Sequence, residues 1–115
     1  MATIDEIASD YAGIIQDALG APSVKTASVN EAQVRSHPLV RVLEKLTERL
    51  DNLRYTNNRQ LVEEDRKDLL ERIGSKLHLS DPSLVGAMLK ESSNRNFHAL
   101  ALLVNQLLAQ YGKKA

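Results

Sequence analysis

The 115-residue chain contains no cysteine and no tryptophan, and only three tyrosines and one phenylalanine. Without cysteine there is no disulfide framework, thiol nucleophile or thiolate metal site. Four aromatics (Tyr11, Tyr55, Phe97 and Tyr111) are too few for a stacking platform on single-stranded nucleic acid. Long apolar runs are also missing. The stretch around Leu102–Val104 is broken by Asn105 and Gln106, far short of the ~20 residues of a membrane span. Asp5, Glu6 and Asp10 occupy the place where a signal peptide would carry basic residues and an apolar run. The expectation is a cytoplasmic protein with no membrane partner.

Net charge is the next absence, with fifteen basic side chains balanced by fifteen acidic ones. The balance is uneven along the chain: −3 over 1–30, +2 over 31–60, −1 over 61–90 and +2 over 91–115. None of these segments makes the strong single-sign field that draws a protein to nucleic acid. Near-neutrality favours self-association instead. No Gly-rich phosphate loop, nucleophile elbow or zinc signature is present, so no catalytic residue, cofactor, metal or small-molecule substrate is expected. At this length a single domain can bury a modest core unaided.

What the chain does have is a ladder of leucines. Leu39, Leu43, Leu46, Leu50 and Leu53 alternate four- and three-residue steps, which keeps one narrow apolar seam turned toward a neighbouring helix. Further on, the seam positions fall on Asn57 and Gln60, and the ladder stops. Pro38 opens this helix, which is expected to run to about Tyr55, ~27 Å at 1.5 Å per residue. Thr56-Asn57-Asn58-Arg59 then admits two readings. Paired asparagines favour a turn that folds residues 61–78 back; a continuous helix with polar seam residues is the alternative. The turn is preferred.

Other boundaries are better marked. Thr3 and Glu6 form a capping box ahead of Ile4, Ile7, Tyr11, Ile14 and Ile15 at helical spacing, and Gly20 and Pro22 supply a left-handed stop and a block. Residues 20–30 read as a linker, and Ser28-Val29-Asn30-Glu31 could start a short helix through Arg35. Leu69, Leu70, Ile73 and Leu77 make a stripe below the charged run from Glu63 to Lys67. Ser80-Asp81-Pro82 marks the next helix start. A final apolar helix is expected from about Asn96 to Tyr111, ended by Gly112.

The fold class is therefore all-α: an irregular or up-down bundle of four to five helices with a semi-detached N-terminal amphipathic helix. The expected divisions are an arm over 1–20, a linker with a short helix over 21–36, and a bundle over 37–115. The three histidines, His37, His78 and His98, show no paired-ligand spacing and read as separate boundary or surface residues. The carboxylates of 63–71 alternate with cations and read as ion-paired helix surface, for example Glu63–Lys67 and Asp68–Arg72.

The function these features favour is a non-enzymatic protein–protein interaction module, an assembly, adaptor or regulatory subunit that self-associates or binds a protein partner. Its contact residues would be Ile4, Ile7, Tyr11, Ile14 and Ile15 on the arm, with Leu39, Leu43, Leu46, Leu50 and Leu53 on the seam. The alternative is a small DNA-binding regulator in which residues 80–111 form a helix-turn-helix-like hairpin reading with Asn94, Arg95, Asn96 and His98. Weighing against it, Leu100 to Leu108 is too apolar to face a groove.

Overall fold

Local capping chemistry sets the boundaries of nearly every element. A computed structural model describes residues 3–52 and 63–114, the side chains of 112–114 excepted. Leu53, Tyr55, Leu61, Val62 and the choice between turn and helix at 56–60 lie outside the described residues. Six helices stand among those described: α1 Ile4–Ala18, α2 Glu31–Ser36, α3 Pro38–Asn52, α4 Glu63–Lys76, α5 Leu84–Ser93 and α6 Phe97–Lys114. The class is all-α, with no strand in the described parts. The count exceeds the expected four to five because the short helix after Asn30 does form.

At α1 the Thr3 hydroxyl accepts from the Glu6 N–H at 3.1 Å, and Asp5 and Glu6 complement the positive end of the helix dipole. The helix ends differently from the expectation. Gly20 is not left-handed; Leu19 caps in right-handed geometry, and the Ala21 N–H donates to the Ala18 carbonyl at 3.2 Å. α2 starts where the Asn30 side chain accepts from the Ala32 N–H at 2.8 Å. α3 starts on His37, whose Nδ1 accepts from the Leu39 N–H at 3.1 Å ahead of Pro38 at the first helical position.

Two helices end in six-residue wraps that need a left-handed residue, and neither uses glycine. After α4, His78 sits at φ 59° while Leu79 N–H donates to Gly74 O and His78 N–H to Ser75 O, at 3.1 and 3.0 Å. After α5, Arg95 sits at φ 57° while Asn96 N–H donates to Glu91 O and Arg95 N–H to Ser92 O. Both are Schellman closures, with the C′ position held by a side-chain-bearing residue. The start of α5 also departs from expectation. Asp81 accepts from the Ser83 N–H and hydroxyl at 3.0 and 2.6 Å, a side-chain turn, and the helix begins at Leu84 rather than at Pro82. α6 continues through Gly112 to Lys114.

α3 packs on α1, α2 and α5, while α4 packs on α1 and α5. α5 also lies along α6, and α2 reaches α6. Thus α1 and α5 both bridge α3 and α4. One buried cluster runs through all six helices, with Ile7, Ile15, Leu43, Leu46, Leu69, Ile73, Met88, Leu100 and Leu107 among its fully enclosed side chains. Gly74 lets α4 approach the turn before α5: a Cβ there would stand 2.4 Å from the Pro82 carbonyl oxygen. No helix among the described residues is long and apolar enough to cross a membrane.

Candidate interaction surfaces

The arm residues divide by face. Ile7, Tyr11 and Ile15 are buried against α3 and α4, Ile4 is half-buried, and Ile14 remains 45% exposed. On the seam, Leu39, Leu43 and Leu46 have no exposed surface and Leu50 has 2%, so the ladder faces the interior. The arm and the seam, separately nominated by the sequence, therefore meet in one core. Polar ties border their meeting. The Asp5 carboxylate lies 3.3 Å from Arg72 and 3.2 Å from Lys76, the Arg49 guanidinium stands 5.5 Å over the Tyr11 ring, and Gln16 Nε2 donates to the Tyr111 hydroxyl at 2.9 Å. Lys76, and after it Arg72, hold the Asp5 carboxyl below the usual carboxylate value.

Residues 20–30 are a strap rather than a loose tether. The Asn105 side-chain amide pairs with the main chain of Val24 in both directions: Val24 N–H donates to Oδ1 at 2.7 Å, and Nδ2 donates to the Val24 carbonyl at 2.8 Å. Two residues earlier, the Pro22 carbonyl meets His37 Nε2 at 2.8 Å. The ring accepts from Leu39 at Nδ1, so a neutral imidazole with its proton on Nε2 satisfies both bonds. His37 is thereby a buried structural residue, joining the strap to the α2–α3 junction. Both anchors belong to the body of the bundle, and neither belongs to α1.

The hairpin residues gather at one corner but are already engaged. Arg95 pairs with Glu31 of α2 and stacks 5.6 Å over the Phe97 ring, and Asn96 accepts from the Ala99 N–H at 3.3 Å as the cap of α6. Asn94 closes α5 as its C-cap residue, and His98 is exposed on the first turn of α6. Glu31 and Glu44 also share Arg35, which links α2, α3 and the α5–α6 turn through charge. The solvent side of α6 carries His98, Leu102, Gln106 and Ala109, with no cation among them. Leu102, 49% exposed, sits where a reading helix would place polar contacts.

Two of the surface recesses adjoin the seam helix and the strap. A cleft of about 600 Å³ opens between α3, α4 and α5, floored by Leu50, Leu70, Gly86 and Leu89 and rimmed by Glu63, Arg66, Lys67, Glu71 and Lys90. Its rim mixes both signs, with Arg66 bound to Asp51 at 2.7 Å. A smaller one lies over His37 beneath the strap. Of the two ion pairs expected on α4, Asp68–Arg72 forms at 3.1 Å, whereas Glu63 and Lys67 make no ion pair with one another. Among the described residues no three histidine, aspartate or glutamate side chains converge as metal ligands.

The outward side of α1 is unlike the rest. Glu6, Asp10, Gly13 and Asp17 recur at four- and three-residue steps along its middle, and Ile14 lies at its edge. Among the described residues no cation lies within ion-pair distance of Glu6, Asp10 or Asp17. Among the described residues, nothing beyond its chain neighbours and the helix's own nearby backbone comes within 4 Å of where a Gly13 side chain would begin. Comparison with known proteins finds no matching family model, no matching curated protein sequence and no matching solved structure.

Proposed function

We propose that this chain is a non-enzymatic assembly module whose working surface is the apolar face of α1 on α3 and α4, exchangeable between two copies. The observation that carries the reading is the layout of the anchors. The strap is fixed to the body by Asn105 and His37, while α1 hangs beyond them from Leu19–Ala21, where a side chain added at Gly20 would meet no described atom within 4 Å. A helix that buries Ile7, Tyr11 and Ile15 and joins its body through one short segment can leave that body and fill the same seat on another. The packing that α1 gives up on its own body is remade on the second, so the balance turns on hinge geometry and concentration. Apolar burial of this kind resists salt.

Shortening the hinge tests the reading. Deleting Gly20 and Ala21 leaves α1 too close to the strap anchor to reach its own seat. The shortened chain should run at twice the monomer mass by light scattering, unchanged by high salt, with the helix content of the parent. A shortened chain that stays monomeric and folded across all concentrations would remove the proposal. Binding of duplex DNA through residues 80–111 would require Arg95 to leave both Glu31 and Phe97.

A further inference from the structure

The solvent side of α1 gathers four features that local rules disfavour. Gly13 stands inside a helix, where glycine is unfavourable, and no described neighbour approaches closely enough to demand it. Ile14 is one of two large apolar side chains left exposed among the described residues. Glu6 and Asp10 repel one another four residues apart. Asp17 lies in the last turn, against the negative end of the helix dipole, and that turn has no basic residue. α4 is as heavily charged, yet there Asp68 meets Arg72, and Lys76 sits in the last turn where the dipole favours it. Such features occur singly elsewhere, as with Glu64 and Asp68 four apart on α4 or exposed Leu102 on α6, whereas on α1 they coincide on one face.

We infer that this face is a docking site for a basic amphipathic helix of a protein partner, seated over Gly13 beside Ile14 and flanked by Glu6, Asp10 and Asp17. Each irregularity then acquires a cause. A missing side chain at Gly13 lets a second helix axis come close, as small residues do at tight helix crossings. Ile14 offers an apolar anchor at the rim of that seat. The carboxylates, spanning about 16 Å from Glu6 to Asp17 at 1.5 Å per residue, match lysines or arginines on about three turns of the partner. The sign is unambiguous, because α1 has no lysine or arginine at all. The inference rests on the reading of the chain as a helix-docking module but uses the opposite face of α1 from the one buried on α3 and α4. Both faces can therefore be occupied at the same time.

The experiment is a titration of the isotope-labelled full chain with a synthetic leucine–lysine helix of about fifteen residues, four turns. A peptide of the same length with glutamate in place of lysine serves as control. Saturable amide shifts should concentrate on residues 4–18, and the control should produce none. Ile14→Ser should weaken binding about tenfold, as expected for loss of a central apolar anchor. Asp10→Asn with Asp17→Asn should weaken it several-fold and flatten its salt dependence. Gly13→Leu is the decisive variant: it should raise the melting temperature, since leucine is the better helix former, yet abolish peptide binding. These side chains are exposed, so the variants keep the fold. Shifts centred on Glu63–Asp65, equal binding of both peptides, or full affinity in Gly13→Leu would each overturn the inference. A chain that never dimerises but binds the peptide on α1 would sink the exchange proposal alone.

Discussion

α1 and α3 are both fifteen residues long, both amphipathic, and both look adhesive in the sequence, yet the fold uses them differently. α3 is held by three helices, and its seam from Leu39 to Leu50 is sealed in the interior. α1 packs along one side on α3 and α4, with Gln16 reaching Tyr111 of α6, and among the described residues nothing pairs with Glu6, Asp10 or Asp17 on its other side. An apolar ladder with regular spacing thus reports an internal strut here, whereas the solvent side of α1 is the one on which the docking proposal rests. Regular patterning is what a self-consistent core produces, and features that local rules disfavour are the natural place to look for a use beyond folding.

The strongest way to break this contrast is to put a charge in each helix. Leu46→Asp buries an unpaired carboxylate in the strut and should abolish cooperative unfolding altogether, read by circular dichroism on heating. Ile7→Asp should instead release α1, with amide exchange accelerating across residues 4–18 while α3, α5 and α6 stay protected. If both variants unfold alike, the distinction between strut and docked helix fails.

Next in size is Gly74→Ala. Its methyl would press on the Pro82 main chain, which cannot swing aside as a side-chain tip would. We expect a loss of about 2 kcal/mol or more in urea unfolding, within the range for overpacked sites. Gly13→Ala gives the opposite sign, a gain of about 1 kcal/mol or less, because its space is open. One glycine serves the fold, and the other does not.

Smaller still is His78→Gly, which relieves a left-handed residue at the α4 Schellman closure and should stabilise by about 1 kcal/mol. The least effect should come from acid. Asp5, lowered by Lys76 and Arg72, and Asp81, lowered by the Ser83 hydroxyl and N–H, are both depressed in the folded chain. Their contribution is complete above the ordinary carboxylate value near 4 and is lost as pH falls through the lowered native values. Asp5→Asn should remove part of that slope below about pH 4 and leave stability at neutral pH nearly unchanged, since exposed pairs contribute little.

The all-α class, the starts of α1, α2 and α3, and the core stripe of α4 were legible because each rests on capping or periodicity within a few residues. What was not legible depended on partners far away in sequence. The left-handed ends at His78 and Arg95 carry no glycine to announce them, and Arg95 is retained by Glu31 and Phe97 rather than by the turn itself. Residues 20–30 read as a free linker because nothing local shows that Asn105, 81 positions beyond Val24, will hold them. The burial of the leucine seam was equally invisible, since a 4-3 ladder suits an interior and an interface alike. On the candidate surface, the acidic side of α1 and exposed Ile14 were present in the sequence; only the structure shows that Gly13 stands open.

Asn105 recognises the strap by its main chain, in the manner of a neighbouring β-strand, and so reads shape rather than spelling. Mutational drift should follow that grammar. Exposed positions such as Ser23, Lys25, Ala27 and Ser28 can change freely. Position 24 can exchange one aliphatic residue for another but never accept proline, whose missing N–H would erase half of the pairing. Deamidation is the corresponding chemical hazard: conversion of Asn105 to aspartate keeps the acceptor for Val24 N–H and turns the donor into an oxygen facing the Val24 carbonyl. An ageing sample would thus unfasten its strap one bond at a time without any change of sequence in its gene.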